Sequence, residues 1–91
     1  MLKSINKYAL YEAVNEFVLP EGSKVISAGC QNDTVMIWVL VPEVYKKSHT
    51  FKVLSVGTGW QLDLDEGVEF IGTVQMPDGL VWHIFARNKG A

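Results

Sequence analysis

The residues with most to offer chemically are Gly57-Thr58-Gly59-Trp60, where two glycines bare backbone N–H groups, Thr58 adds a hydroxyl and Trp60 an aromatic face. Such a loop could cradle a phosphate and stack a base. It is neither a Walker loop, which needs a longer spacing and a Gly-Lys-Ser/Thr ending, nor a dinucleotide-binding fingerprint. The plainer reading, and the preferred one, is that the glycines supply unusual backbone angles or a bulge at a strand end while Trp60 caps the core. Lys46, Lys47, His49 and Lys52 form the only basic cluster, just ahead of this loop in sequence. They could give charge to an anion. Lysines in a surface loop and along an edge strand also keep a protein soluble and block edge pairing, which is their commoner use.

Catalysis by a Ser-His-Asp or Cys-His set needs a nucleophile, a base and an orienting group that meet in space. The parts are scarce: one cysteine, Cys30, and two histidines, His49 and His83. Cys30 lies mid-strand among apolar neighbours, where a free cysteine is usually a small core residue. His83, between Trp82 and Ile84, reads as a histidine hydrogen-bonded across a sheet or at an interface rather than a proton carrier; it is kept among the ligand-binding candidates. Two separated histidines and one cysteine fail the zinc patterns. Asp63, Asp65, Glu66 and Glu69 could offer oxygens to calcium, but they lack the ligand ladder and central glycine of an EF-hand, and a solvated acidic turn is preferred. No catalytic residue, metal or cofactor is therefore expected.

These residues sit on a chain of 91 amino acids, short enough for one domain with a thin core. Its composition is 48% hydrophobic, with three Trp, three Tyr and four Phe, too apolar for a disordered tail or a charged nucleic-acid arm. So much apolar surface on a thin domain points to burial between subunits, and a homo-oligomer is expected, with Trp38 and Trp82 as interface candidates. Eight basic and ten acidic residues nearly cancel, so the charge supplies no strong pull toward nucleic acid or an anionic membrane. A single cysteine suits a reducing cytoplasm. The opening Met1 to Lys7 lacks the apolar core of a signal peptide, and the run Val35 to Val41 is too short for a membrane-spanning helix. A soluble cytoplasmic protein is expected.

The positioning elements read as short strands between turn signals. Ser4 to Leu10 and Val14 to Leu19 come first and end at Pro20-Glu21-Gly22, although Tyr8, Tyr11, Val14 and Phe17 also recur at helical spacing, which leaves a short helix as the alternative. Lys24 to Gln31 turns through Asn32-Asp33 into Thr34 to Val41, a central strand apolar on both faces. Glu43 to Ser48 is an exposed loop or single helical turn before Thr50 to Val56, and Gln61 to Gly67 is an acidic loop. Val68 to Met76 and Leu80 to Ala86 form a hairpin whose Asp78-Gly79 suits a two-residue primed turn. Across it Leu80, Trp82 and Ile84 should share one face, and Val81, His83 and Phe85 the other. The tail from Arg87 to Ala91 is expected to fray. The fold class expected is all-β, a small antiparallel sandwich or partly closed barrel of about six or seven strands.

The ordered combination of Ile-Asn-Lys-Tyr-Ala-Leu, Val-Leu-Pro-Glu-Gly-Ser-Lys-Val-Ile-Ser, Met-Ile-Trp-Val-Leu-Val, Gly-Thr-Gly and Ile-Gly-Thr-Val-Gln-Met-Pro-Asp-Gly-Leu-Val-Trp-His-Ile-Phe resembles a set of small tailed-bacteriophage proteins to which no activity is assigned. The likeness runs from Ile5 to Phe85, and Trp38, Gly57, Thr58, Gly59 and His83 match its pattern. It implies action in the cytoplasm of an infected bacterium. By analogy with small phage proteins, it implies a non-enzymatic protein that binds a host or anti-phage defence component. The sharpest version is an oligomeric sponge for a small nucleotide signal, with Trp60 or Trp38 stacking the base and Gly57 to Gly59 with Lys46, Lys47 or Lys52 meeting the phosphates. A structural or assembly component of the particle is the alternative, and a small hydrolase the third.

Overall fold

The computed structural model describes residues 1–88. Seven antiparallel strands account for most of them: β1 (Lys3–Leu10), β2 (Val14–Pro20), β3 (Lys24–Gln31), β4 (Thr34–Pro42), β5 (Ser48–Gly57), β6 (Val68–Gln75) and β7 (Val81–Arg87). They form two sheets, β1-β4-β3 and β2-β5-β7-β6, stacked face to face and not closed into a barrel. The all-β expectation holds, and of its two forms the sandwich is the one adopted. The helical spacing of Tyr8, Tyr11, Val14 and Phe17 produces no helix; Tyr8 on β1 and Phe17 on β2 instead meet as tilted rings 5.3 Å apart. Among the described residues no helix is long and apolar enough to cross a membrane.

Strand periodicity builds the core. On β4, Val35, Ile37, Val39 and Val41 are buried while Thr34, Met36, Trp38 and Leu40 are half-buried on the opposite face. On β5 the inward set is Phe51, Val53 and Ser55, and on β7 it is Ile84 and Ala86. Ile37, Val39, Val53 and Ile84 have no exposed surface and form the contact between sheets. Burying a side chain of that size contributes about 1.5–3 kcal/mol, so this face decides the register of both sheets. β4 is central, as its sequence implies, but only one of its apolar faces is covered by the second sheet; Trp38 and its neighbours lie on the outside.

Two edge strands, β3 and β6, approach one another, and each carries a bulge there, at Ile26 and Ile71. The seam is closed by Asn88. Its Oδ1 accepts from the Val25 backbone N–H at 2.9 Å and its Nδ2 donates to the Val25 carbonyl at 3.0 Å, so a side-chain amide occupies the place of a neighbouring strand. This corrects the expected fraying for Arg87, which ends β7, and for Asn88; residues 89 to 91 lie outside the described residues.

One hairpin turn differs from expectation, and the Asn32-Asp33 turn leads straight into β4 as expected. Pro77-Asp78-Gly79 is a three-residue loop: the Gly79 N–H donates to the Met76 carbonyl, the Met76 N–H donates to the Leu80 carbonyl, and only Gly79 has positive φ, at 91°. That is a type I turn completed by a glycine bulge, with proline at the position where its fixed φ suits the turn. The primed two-residue turn is Asn32-Asp33, with φ of 52° and 60°, between the paired residues Gln31 and Thr34. Asn and Asp tolerate that left-handed region better than other non-glycine residues. A β-branched residue does not, so Asp33→Val is expected to lower unfolding stability in urea by about 1–2 kcal/mol. Asp33→Gly, which restores the pair most favoured in such turns, is expected to match or exceed the parent protein.

Candidate functional site

Gly57 ends β5 on the inward side, and the chain then turns so that the Trp60 N–H donates to the Gly57 carbonyl at 3.2 Å. The two glycines serve different needs. Gly59 has φ of 87°, which the turn requires. Gly57 instead makes room: a Cβ there would lie 2.6 Å from Trp60 Cε2, so the indole rests on bare backbone. From that seat Trp60 meets Trp82 edge-on, ring centroids 5.4 Å apart and planes at 80°. Trp60 is still 53% exposed, so it stands at a mouth rather than sealing the core.

Thr58 leaves this turn on the outer side of the sheet, where its hydroxyl bonds His83 Nε2 at 2.8 Å while the Thr73 hydroxyl bonds His83 Nδ1 at 3.1 Å. Thr73 and His83 are direct cross-strand partners, so the imidazole fastens the loop to β7 and β6. One ring nitrogen of a neutral imidazole donates and the other accepts, and a hydroxyl can answer either. Among the described residues no carboxylate bonds this ring. His49 lies seven positions before Val56, the β5 residue opposite His83, hence about 23 Å away along the strand, and its Nε2 is 3.4 Å from Glu21. The two histidines do not meet. Cys30 is exposed beside the Asn32-Asp33 turn, which corrects its placement in the core.

The basic residues are equally scattered. Lys46 and Lys47 precede the start of β5, whereas Gly57 ends it and Thr58 to Trp60 follow, about 30 Å away at strand spacing. Lys47 lies 3.9 Å from Glu21. Lys52 is on the outer face opposite Glu16, and it lines a hollow with Arg87, Asp63 and Asp65. The acidic loop thus lies beside basic residues. No group of three metal-ligating side chains converges among the described residues. Trp38 lies on the outer face of the first sheet over Gly29, where a Cβ would come within 3.3 Å of its ring. Trp82 points inward, packed against the core, rather than outward as an interface residue would.

What the fold does bring together lies on the inner side of Trp60. At the end of the sandwich where β1 hands over to β2, the sheets enclose a cleft of about 320 Å³. Trp60, Trp82 and Met76 make one wall and Leu10 and Val35 the other; Glu12 and Asp33 stand at the rim. Ser55 lines it as well, only 7% exposed, and its hydroxyl has no hydrogen-bond partner. The rim is held by Asn15, 9% exposed, whose Oδ1 accepts from the Tyr11 and Glu12 backbone N–H groups while its Nδ2 donates to the Glu12 carbonyl at 2.7 Å. Sequence reasoning passed over Asn15, Ser55, Glu12 and Asp33. The signal available was a polar residue on an otherwise apolar inward stripe, as Ser55 follows Phe51 and Val53.

A family model described as Domain of unknown function (DUF7352) matches residues 1–91, and the chain belongs to that family. No curated protein and no solved structure matches the chain.

The seat of Trp60 on Gly57 is open to a double-mutant cycle. Gly57→Ala is expected to displace the indole, weaken the near-ultraviolet circular dichroism of the tryptophan pair and cost about 1–3 kcal/mol in urea unfolding. In a Trp60→Ala background the same glycine change is expected to cost less than about 0.5 kcal/mol, since nothing remains for the Cβ to strike.

Proposed function

We propose that this DUF7352 protein is a non-enzymatic binding protein that holds a small organic molecule in the cleft beside Trp60 and Trp82. One observation carries this: an aromatic-walled cavity of about 320 Å³ has a buried hydroxyl, Ser55 Oγ, with nothing to bond to. Cavities of a few hundred Å³ with apolar walls and few polar groups are the usual form of small-molecule sites. An unpaired buried hydroxyl costs about 1–3 kcal/mol, so the packing beside this cavity is kept at the expense of stability.

The nucleotide version narrows on the same geometry. A base could lie against Trp60, but its phosphates would find carboxylates at the rim, with Lys46 and Lys47 at the far end of β5. Recognition therefore rests on the ligand's aromatic or apolar body. In the setting that the likeness to phage proteins implies, the role would be to sequester a molecule of the infected host or its defences. Hydrolysis draws no support from His83 between two threonines or from His49 beside Glu21.

A structural or assembly role is favoured by a different observation. Ile5, 59% exposed, continues a strip with Leu40, Trp38 and Met36 on the outer face of the first sheet, a surface suited to joining copies of the chain. Native mass spectrometry with indole as probe reads both. One indole bound per chain, with a change in tryptophan fluorescence that Trp60→Ala abolishes, is the expected result for a binding protein. A defined oligomer that breaks down on Trp38→Lys, with no retained indole or nucleoside, would replace that reading with the assembly role.

A further inference from the structure

Resting on the binding reading above, we infer that the cleft selects an organic cation, an alkylated ammonium group carried on an apolar body. The residues lining it include no lysine, arginine or histidine, while both ionisable carboxyl side chains among them, Glu12 and Asp33, stand at the rim. Their placement is built. Asn15 clamps the backbone around Glu12 through three hydrogen bonds, and Asp33 occupies the second left-handed position of a two-residue turn. The two come from different connections, β1 to β2 and β3 to β4, so both stacked sheets must be folded for the two residues to line one opening.

Aromatic faces complete the setting. Trp60, 53% exposed and edge-on to Trp82, lines the cleft, and Tyr11, 83% exposed, follows the same rim. A cation over an indole face is attracted by the ring quadrupole, and an alkylated ammonium, weakly hydrated, loses little on leaving water. Carboxylates within reach add a second attraction of the same sign. An anion would meet repulsion from that rim, and a neutral molecule of the same shape would gain neither term. Beneath them Ser55, whose hydroxyl is buried without a hydrogen-bond partner, is a polar residue in the lining.

The matched probes are choline and 3,3-dimethylbutan-1-ol, which differ in charge and hardly in shape, titrated into the full chain by NMR. Choline is expected to bind about tenfold more tightly than the alcohol. Glu12→Gln and Asp33→Asn should each weaken choline about threefold and leave the alcohol unchanged, since Asn tolerates the turn at position 33. A short peptide bearing trimethyl-lysine separates two sources of the same group: tighter binding than choline assigns a modified protein side chain, and equal or weaker binding a free amine. Equal affinity for choline and the alcohol overturns the cation inference but leaves the cleft a binding site. Failure of choline, the alcohol and indole alike removes the binding reading itself.

Discussion

The contact between Ile37 and Val39 of one sheet and Val53 and Ile84 of the other governs this molecule. In a strand the side-chain period is two, so slipping any of these strands by one residue would turn its buried set to solvent. That constraint fixes β4, β5 and β7 as the rigid middle of the sandwich. The edge strands are then added by ladder hydrogen bonds and need less burial, which is why β1 carries an exposed Ile5 and β2 an exposed Val18. At one edge β3 and β6 come together under the Asn88 clamp; on the β1 and β2 side the Asn15 amide holds only the connecting loop. The sandwich is therefore asymmetric, tied along one seam and open toward the connection that bears Glu12.

Two serines record where the stacking loosens. Ser55 and Ser23 are both buried with unpaired hydroxyls, and each lines a cavity, at opposite ends of β5: Ser55 in the cleft beside Trp60, Ser23 in a hollow with His49 and Asn88. An orphaned hydroxyl costs about as much as one medium-sized side chain gains by burial, so neither is a contributor to stability. The difference between the ends lies in their walls. Ser23 has Glu21, Lys24 and His49 around it, with His49 Nε2 3.4 Å from Glu21, whereas the Ser55 end is aromatic, with carboxylates and no basic group.

The strands were legible because period-two alternation, β-branched runs and turn dipeptides reinforce one another over several residues, as from Thr34 to Pro42. Turn types were less so. Asp78-Gly79 and Asn32-Asp33 are both plausible primed turns by composition, and the loop length that decides between them depends on register, a property of two strands rather than one. The site was least legible. Lys46 and Lys47 look adjacent to Gly57 in a line of text, but an extended strand carries its ends about 30 Å apart, and even Lys52, midway along β5, is about 17 Å from it. Glu12, Asp33 and Ser55, spread over much of the chain, converge instead because the strands that follow or precede them stack at the same end.

Gly57 and Trp60 show how a local choice sets the character of that end. With any side chain at position 57 the indole could not rest on the β5 backbone. Turned away, it would leave Trp82 without its edge-on partner and the wall of the cleft without its outer half. Buried deeper, it would fill the space above Ser55 and gain apolar burial, since a half-exposed tryptophan forgoes much of what its area could contribute. The fold takes neither course. Thr58, tied through His83 to Thr73, holds the start of the loop on the outer face, and the Trp60 N–H then bonds back to the Gly57 carbonyl, which seats the indole over Gly57. The ring is thereby kept half-exposed at the mouth, its loop fastened by hydrogen bonds made on the opposite side of the sheet.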